Sequence, residues 1–540
     1  MMTRLPLASA FTLILAACGG SDLAGSRDDL AGSHDGLSMS ADSEALPVDR
    51  GEADVGQRRL RQASLSPMAI ESGLGRGTPF EHAASAVGSL ELSWRDCGTT
   101  GTRAVQCAEL QVPLDYDDLE GEVIVLALYR FLAPSDGPHR GVLLYNPGGP
   151  GGSGKDIGRS LAAAGAFDAV APGFDVIGFD PRGVGDSSAL ECDSVAAYMR
   201  GDTGNASPQD AMLEAASAYG LEGVIDDLTW LAEECRSYWG ALFDHMGSNA
   251  VVRDMDRIRE ALGEEKLNFL GMSYGTRLGA LYAQEFPERV RAIVLDAPVG
   301  PEASFVNQIQ GQFDELAVVQ EAFFAECESG RISCPPDPRG LFDAYVSAAD
   351  ARGMLSPMLA VWELGLSYSF GLDLLPYLLG QQASQPSSEW MDGEVGILGG
   401  DDDGFIQNMN VNCADNAAPL LSIAEADARL DAAVAQNPLF AGALVASVFC
   451  NGWTVAPDPV APLTAPGAPP LLVVGGTHDR RTPPHWARAL AGSLESGVLL
   501  TSEHWGHTIV GDGSPCVDEA VRSYLVDLEL PAAGTVCPAP

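Results

Sequence analysis

Gly271-Met272-Ser273-Tyr274-Gly275 stands between a short apolar run, Asn268-Phe269-Leu270, and the segment 276–286, whose apolar residues recur with helical spacing. A strand, a G-x-S-x-G turn and a helix in this order form a nucleophile elbow, which exposes the serine hydroxyl at the head of the helix. There the helix dipole and a free backbone N–H group stabilise the oxyanion that forms during acyl transfer. The context therefore predicts that Ser273 is a catalytic nucleophile.

The composition is that of a large, acidic globular protein. The chain has 540 residues, 46% of them hydrophobic, so we expect a large core with an insertion or a second domain. Its 31 basic and 74 acidic residues give a net charge of −43, which argues against binding nucleic acid through the phosphates. Acidity of this kind reflects solubility and habitat more often than it marks a binding site.

The first 17 residues have the pattern of a targeting segment. Arg4 precedes the apolar stretch 5–17, which is too short to span a membrane as a stable helix. The stretch ends in Leu15-Ala16-Ala17-Cys18, which resembles a bacterial lipoprotein box, so Cys18 is expected to carry a diacylglycerol. An ordinary secretory signal with an incidental cysteine is the alternative. Because Gly19 rather than aspartate follows, we expect an exported lipoprotein of the outer membrane, periplasm or cell surface.

The cysteines predict structural disulfides. Without Cys18 ten cysteines remain, an even number in a chain that we expect to be exported. No C-x-x-C motif occurs, so we expect neither a structural zinc site nor a thioredoxin-type redox centre. The sequence does not determine the connectivity, and the simplest hypothesis pairs neighbours: Cys97 with Cys107, Cys192 with Cys235, Cys327 with Cys334, Cys413 with Cys450, and Cys516 with Cys537.

Short apolar strands alternate with helical segments in most of the chain beyond residue 89. Near-continuous apolar strands, separated by helices such as 250–262, indicate a mostly parallel sheet covered by helices on both faces. The fold class is therefore α/β. The predicted strands are 123–131, 140–145, 174–179, 267–270, 292–296, 471–475 and 497–501.

The alternation stops between residues 301 and 469, where the pattern is mainly helical. An insertion of this size, placed between two strands of the sheet, is expected to form a lid that excludes water and selects substrates. Upstream of residue 89 the chain is rich in Ser, Gly, Asp and Ala, which is typical of a disordered tether. The predicted organisation is a signal peptide (1–17), a tether (18–88), the first part of the core (89–300), the lid (301–469) and the second part of the core (470–540).

A nucleophilic serine needs a base and an acid that orients the base. In a protein with a nucleophile elbow and this topology, the acid and then the base follow the serine along the chain. Asp479 follows the strand 471–475 and is the candidate acid, while His478 beside it is the wrong class of residue for that role. His507 is the candidate base after the last strand, because Gly506 frees the loop to bend toward the serine. His504 is the alternative base.

The oxyanion requires backbone N–H groups near the serine. One is expected from Tyr274, directly after the nucleophile. The other is expected from the loop 146–154, whose sequence Asn-Pro-Gly-Gly-Pro-Gly-Gly-Ser-Gly lets the backbone approach a substrate without side-chain obstruction. Gly149 is the preferred donor and Gly148 the reserve. A phosphate-binding loop is the rival interpretation, but the G-x-x-x-x-G-K-[ST] spacing is absent.

Five motifs in this order resemble the tripeptidyl-aminopeptidase family of α/β-hydrolases, exported relatives of proline iminopeptidase. They are Asn146–Gly151, Phe179–Gly185, Gly271–Gly275, Asp479–Pro483 and Gly506-His507, and the resemblance covers roughly residues 90–540. It implies an α/β-hydrolase fold and release of short peptides or single residues from free N-termini. The family also contains carboxylesterases. The chain departs from the family pattern in its doubled histidine and in Arg480-Arg481.

Recognition of a protonated N-terminus calls for a carboxylate in the lid. Asp415 matches a Cys-x-Asp element of the family's lid and is the candidate, with a structural cap beside a disulfide as the alternative. The sequence thus predicts a lipid-anchored serine aminopeptidase that acts on peptides and requires no metal or organic cofactor. A carboxylesterase or lipase with the same Ser273, Asp479 and His507 is the second hypothesis. A surface binding protein that has lost activity is the third.

Overall fold

The computed structural model describes residues 91–134, 137–188, 190, 192, 208–352, 355–385, 391 and 402–539. The predicted signal peptide, Cys18 and the tether 18–88 lie outside the described residues. No helix in the described part of the chain is both long enough and apolar enough to cross a membrane.

A single twisted sheet of ten strands runs through the described residues. Its spatial order is β1-β2-β3-β5-β4-β6-β7-β8-β9-β10. The strands are β1 (Arg95–Thr100), β2 (Arg103–Pro113), β3 (Val123–Phe131), β4 (Val142–Asn146), β5 (Asp175–Phe179), β6 (Leu267–Met272), β7 (Val290–Asp296), β8 (Leu471–His478), β9 (Gly497–Trp505) and β10 (Val536–Cys537).

The sheet is parallel from β5 to β10 and antiparallel at the other edge. The pairs β1–β2, β2–β3 and β3–β5 are antiparallel. The remaining six pairs are parallel and join the strands in the order β5-β4-β6-β7-β8-β9-β10. The central parallel strands have near-continuous apolar runs because both faces of the sheet are covered. In β4, Leu144 packs in one hydrophobic cluster, and Leu143 and Tyr145 pack in the cluster on the opposite face. The predicted class, a mostly parallel α/β sheet covered on both faces, is confirmed.

The helices pack on the two faces of the sheet and fill the interval between β7 and β8. They are α1 (Gly154–Ala163), α2 (Ala166–Val170), α3 (Pro208–Trp239), α4 (Ser248–Ala261), α5 (Gly275–Glu285), α6 (Phe305–Ser329), α7 (Pro338–Ala351), α8 (Leu355–Ser367), α9 (Gly371–Ser384), α10 (Asp402–Asp415), α11 (Ile423–Gln436), α12 (Phe449–Gly452), α13 (Pro484–Ser493) and α14 (Pro515–Asp527).

Helices α6 to α12 form what we call the helical insertion, between the end of β7 and the start of β8. It has a hydrophobic cluster of its own, centred on the fully buried Trp362, whose ring lies 4.5 Å from that of Phe342 and 5.9 Å from that of Phe323. The insertion therefore has a rigid apolar core and can hold side chains in fixed positions against the ends of the strands.

Five disulfides join the cysteines in the described residues, and each connects neighbours in the sequence. The bonded pairs are Cys97–Cys107, Cys192–Cys235, Cys327–Cys334, Cys413–Cys450 and Cys516–Cys537, which confirms the simplest pairing hypothesis.

Candidate active site

Ser273 lies in a sharp turn between β6 and α5. Its φ of 54° is a left-handed backbone conformation, which costs free energy for a residue other than glycine and is typical of functional turns. A Cβ atom on Gly271 would lie 2.3 Å from the carbonyl oxygen of Gly275, and one on Gly275 would lie 2.6 Å from the carbonyl oxygen of Asn146. The turn therefore admits only glycine on both sides of the serine, as in a nucleophile elbow.

The candidate acid and base are hydrogen-bonded to each other. The Nδ1 atom of His507 lies 2.9 Å from Oδ2 of Asp479, and both side chains are more than nine-tenths buried. Asp479 is held by three donors, the N–H groups of Arg481 and Thr482 at 2.8 and 2.9 Å and the Thr482 hydroxyl at 2.7 Å. These bonds fix the carboxylate and direct it at His507, the arrangement that orients an imidazole for proton transfer.

His504 and His507 have different surroundings. His504 lies within β9 and is buried, with Nε2 3.1 Å from Oδ2 of Asp512. The Asp479 carboxylate pairs with His507. His478 stacks on Trp505 with its ring centre 4.3 Å away, and burial lowers its pKa. The geometry favours His507 over the alternative, His504, as the base.

Ser273 and His507 follow the carboxyl ends of the parallel strands β6 and β9, which are separated in the sheet by β7 and β8. Among the described residues no hydrogen bond joins the Ser273 hydroxyl to His507, and catalytic hydrogen bonds in free enzymes often form only with substrate. The backbone of Ser273 and the loop that follows His507 are instead both anchored to Asp296 at the end of β7. Its carbonyl oxygen accepts from the N–H of Ser273 at 2.9 Å, and its Oδ2 accepts from Ile509 and Val510 at 2.9 and 3.0 Å.

Asp296 is a buried acid that sequence reasoning did not single out. Its side chain is fully buried, and this burial raises its pKa to about 6. The available signal was an aspartate that closes an apolar strand directly after the elbow helix. Asp296 therefore lies beside the strand that carries Ser273, between the nucleophile and the loop that carries His507.

The glycine-rich loop packs directly against the elbow. A Cβ atom on Gly148 would lie 2.4 Å from the carbonyl oxygen of Met272 and 2.9 Å from the nitrogen of Tyr274. The N–H of Gly148 already donates to Oδ1 of Asn146 at 3.0 Å. The N–H groups of Gly149 and Tyr274 have no acceptor among the described residues, so they are the pair available to an oxyanion.

Asp180 holds the start of α1 behind this loop. Its buried carboxylate accepts from the hydroxyl of Ser153, the N-cap of α1, at 2.8 Å and from the N–H of Asp186 at 2.9 Å. Burial raises its pKa to about 6. Arg182 two residues later is fully buried and pairs with Asp254 on α4 at 2.7 Å. This motif thus fixes the loops around the site.

Asp415 lies at the end of α10, in a buried network behind the elbow. Its Oδ1 accepts from the N–H of Ser248 at 2.7 Å, and its Oδ2 accepts from the Ser248 hydroxyl at 2.6 Å and from Arg277 at 3.4 Å. The hydroxyls of Ser248 and Tyr274 are 2.5 Å apart. Asp415 is fully buried, so these contacts match the structural alternative, a cap on α4, rather than a carboxylate that faces substrate.

The helical insertion contacts three loops of the site, namely the loop of His507, the glycine-rich loop and the loop of Asp479. The carbonyl oxygen of Ser367, at the end of α8, accepts from the N–H of His507 at 2.7 Å. In α10, the side-chain amide of Asn408 donates to the carbonyl oxygen of Pro150 at 3.2 Å. In α6, the amide of Gln312 donates to the carbonyl oxygen of Arg481 at 2.8 Å. Sequence reasoning missed these residues because the contacts join positions more than a hundred residues apart.

No group of three or more His, Cys, Asp or Glu side chains within the described ranges has the arrangement of a metal site.

The fold and this site define an α/β-hydrolase, and comparison with known proteins gives the family. Residues 141–324 match the model of the alpha/beta hydrolase fold, and residues 437–537 match that of the TAP-like protein. The chain is 34% identical over 500 residues to "Serine protease Hip1" of Mycobacterium tuberculosis, which covers 83% of this chain and 91% of that protein. It is 33% identical over 496 residues to "Carboxylesterase B" of the same species, with coverage of 83% and 90%.

A third relative is the "Tripeptidyl aminopeptidase" of Streptomyces lividans, 28% identical over 496 residues, with coverage of 84% of this chain and 88% of that protein. The chain belongs to the TAP-like family of α/β-hydrolases, and it is a serine hydrolase. The family predicted from the five motifs is confirmed.

Proposed function

We propose that the protein is an exported serine aminopeptidase that releases short peptides, tripeptides among them, or single residues from free N-termini. The observation that carries the proposal is the hydrogen bond of 2.9 Å between Nδ1 of His507 and Oδ2 of Asp479. This pair lies at the carboxyl ends of the parallel strands, as does the strained turn of Ser273. A relative named as a tripeptidyl aminopeptidase, similar over 84% of this chain, supports the peptide substrate.

The geometry supports an acyl-enzyme mechanism. His507 takes the proton of Ser273 as its hydroxyl oxygen attacks the scissile carbonyl, and Asp479 stabilises the imidazolium that forms. The N–H groups of Gly149 and Tyr274 bind the oxyanion. Collapse of the tetrahedral intermediate breaks the C–N bond, and His507 protonates the departing amine. A water molecule, activated by His507, then hydrolyses the ester at Ser273.

A half-buried carboxylate in the insertion is suited to bind the substrate's ammonium group. Glu315 on α6 is half-buried and lies one turn after Gln312, whose amide donates to the carbonyl oxygen of Arg481 in the acid loop at 2.8 Å. Burial and then the negative charge of Asp479 raise the pKa of its carboxyl, whereas the positive charge of Arg488 lowers it. An ammonium ion bound there would offset the repulsion from Asp479, because it supplies the opposite charge. We propose Glu315 for this role. The contacts of Asp415 do not support Asp415 as the residue that binds the ammonium group.

The test compares tripeptide p-nitroanilides with a free and with an acetylated N-terminus, with short acyl esters assayed in parallel. We expect the free peptide to be cleaved with a kcat/KM at least about tenfold above that of the blocked one, because one charge-assisted contact contributes that much. Glu315→Gln should remove the preference, whereas the matched control Glu321→Gln on the same helix should keep it. Equal cleavage of both peptides would overturn the aminopeptidase proposal, and turnover of esters alone would support a carboxylesterase.

A further inference from the structure

Arg480 directly follows the candidate acid Asp479. Its side chain is 11% exposed, and burial lowers its pKa. A guanidinium is costly to bury unless its donors are paired. The residues that pair with it therefore indicate why it is there.

The partners of Arg480 both lie on the last turn and a half of α8 in the helical insertion. The Nε atom donates to the hydroxyl of Ser367 at 2.8 Å, and an Nη atom donates to the carboxylate of Glu363 at 2.8 Å. These two bonds use the planar fork of the guanidinium, which a lysine cannot reproduce.

The same end of α8 supports the candidate base. The carbonyl oxygen of Ser367 accepts from the N–H of His507 at 2.7 Å. The ring of Tyr368 lies edge-on to the imidazole with centres 6.3 Å apart. A Cβ atom on Gly506 would lie 2.5 Å from the nitrogen of Ser369, so the histidine loop and the end of α8 pack backbone to backbone.

We propose that Arg480 is a positioning residue, which fixes the end of α8 to the acid loop so that Ser367 can hold His507 in register with Asp479. In this arrangement the helical insertion is a structural part of the catalytic machinery as well as a cover. The inference rests on the proposed catalytic role of His507. Arg480 acts through Ser367 and contacts no reacting atom.

The experiment measures peptide turnover and the rate of fluorophosphonate labelling for Arg480→Ala, Arg480→Lys and the wild-type chain. We expect Arg480→Ala to lower kcat and the labelling rate by about 10- to 100-fold, with KM changed by less than about threefold, because a misplacement near 1 Å costs that much. Arg480→Lys should recover only part of the rate, since it cannot serve both partners.

A matched control is Arg339→Ala, which breaks another arginine–glutamate pair of the same insertion, to Glu328 at 2.7 Å, at a more exposed place. It should leave kcat and labelling at wild-type values. Circular dichroism establishes the temperature at which each variant is folded. If Arg480→Ala does not fold, Ser367→Ala decides, because it removes only the hydroxyl that Arg480 contacts.

A wild-type kcat in folded Arg480→Ala, or in Ser367→Ala where the arginine variant does not fold, would overturn this inference and leave the proposed function intact. Absence of labelling at Ser273 in the wild-type chain would overturn both. A fall in melting temperature with unchanged kcat would show that Arg480 stabilises the fold alone.

Discussion

At the scale of single residues, the site is held together by buried carboxylates with separate tasks. Asp479 orients the imidazole of His507, and Asp180 secures the start of the helix behind the glycine-rich loop. Asp296 joins the backbone of Ser273 to the loop that follows His507. Because each carboxylate accepts several hydrogen bonds, each one fixes a loop whose backbone would otherwise be free.

His504 and His507 should respond differently to substitution. His507→Ala removes the partner of Asp479, and we expect turnover to fall by a factor on the order of 10⁴ to 10⁶, as for loss of a triad base. His504→Ala should retain turnover to within about tenfold, because it removes a buried side chain that does not contact the acid. Steady-state kinetics on folded protein distinguishes them, and the reverse pattern would exchange their roles.

Asp296 should give the protein a characteristic pH dependence of stability. Folding raises its pKa to about 6, so the folded state favours the protonated carboxyl. That contribution is fully present below the unfolded pKa, near about 4, and is lost as the pH rises through about 6. A shift of about two units corresponds to about 3 kcal/mol.

The variant Asp296→Asn should lose this dependence because its amide does not ionise. Between about pH 4 and about pH 7, the free energy of unfolding of the wild-type chain should fall by up to about 3 kcal/mol more than that of Asp296→Asn. Urea denaturation at a series of pH values measures the difference, and Asp117→Asn at an exposed position is the control. Parallel curves for wild type and Asp296→Asn would contradict the expectation.

At the scale of helices and strands, most of the core was predictable from apolar periodicity. The seven expected strands correspond to β3 to β9, and the helix expected at 250–262 is α4. The strands β1, β2 and β10 were not predicted. β2 (Arg103–Pro113) alternates buried and exposed residues over part of its length, and β10 has only two residues. A continuous apolar run, as in the parallel strands, is a stronger signal than a strand at a half-exposed edge.

The same limit explains which parts of the site could be found in the sequence. Ser273, Asp479 and His507 follow strands in a fixed order, so chain order and local motifs identify them. The contacts of Ser367 and Arg480 arise only when the helical insertion folds back on the strand ends. The sequence around Asp415 leaves a role in substrate binding and a structural cap both open, because its partner Ser248 lies 167 residues away in the chain.

The junction of α10 and α4 provides a stability prediction. Asp415→Ala leaves the guanidinium of Arg277 and the backbone N–H of Ser248 buried without their carboxylate, and we expect a loss of about 3 to 5 kcal/mol in the free energy of unfolding. Asp415→Asn should lose less, because the amide oxygen still accepts one bond. Chemical denaturation measures both variants.

The activity of these variants tests the alternative role of Asp415. In the structural role, the ratio of kcat/KM for free and acetylated peptides stays at its wild-type value in folded Asp415→Asn. A selective loss for the free peptide would instead assign the ammonium group to Asp415. The two measurements are independent, since one reports the fold and the other the substrate preference.

At the scale of the whole molecule, the chain combines a hydrolase core with a proposed anchor outside the described residues. The ten cysteines of the described residues are all paired in disulfides, which persist in oxidising compartments and are rare in the cytosol. This pairing supports the proposed export. The net charge of −43 gives no electrostatic attraction to an anionic membrane, so lipid chains on Cys18 would have to supply the anchoring.

Substitution of Cys18 therefore tests the location of the whole protein. Each buried CH₂ group of a lipid chain contributes about 0.8 kcal/mol, and a diacylglycerol carries two chains, enough for stable attachment. We expect the wild-type chain in the membrane fraction, with incorporation of a labelled fatty acid, and Cys18→Ser in the soluble fraction without label. Because the substitution changes no residue of the site, soluble Cys18→Ser should keep the wild-type rate of fluorophosphonate labelling at Ser273. If both forms fractionate alike and neither takes up the fatty acid, the anchor is excluded and an ordinary secretory signal with an incidental cysteine becomes the better interpretation of residues 1–18.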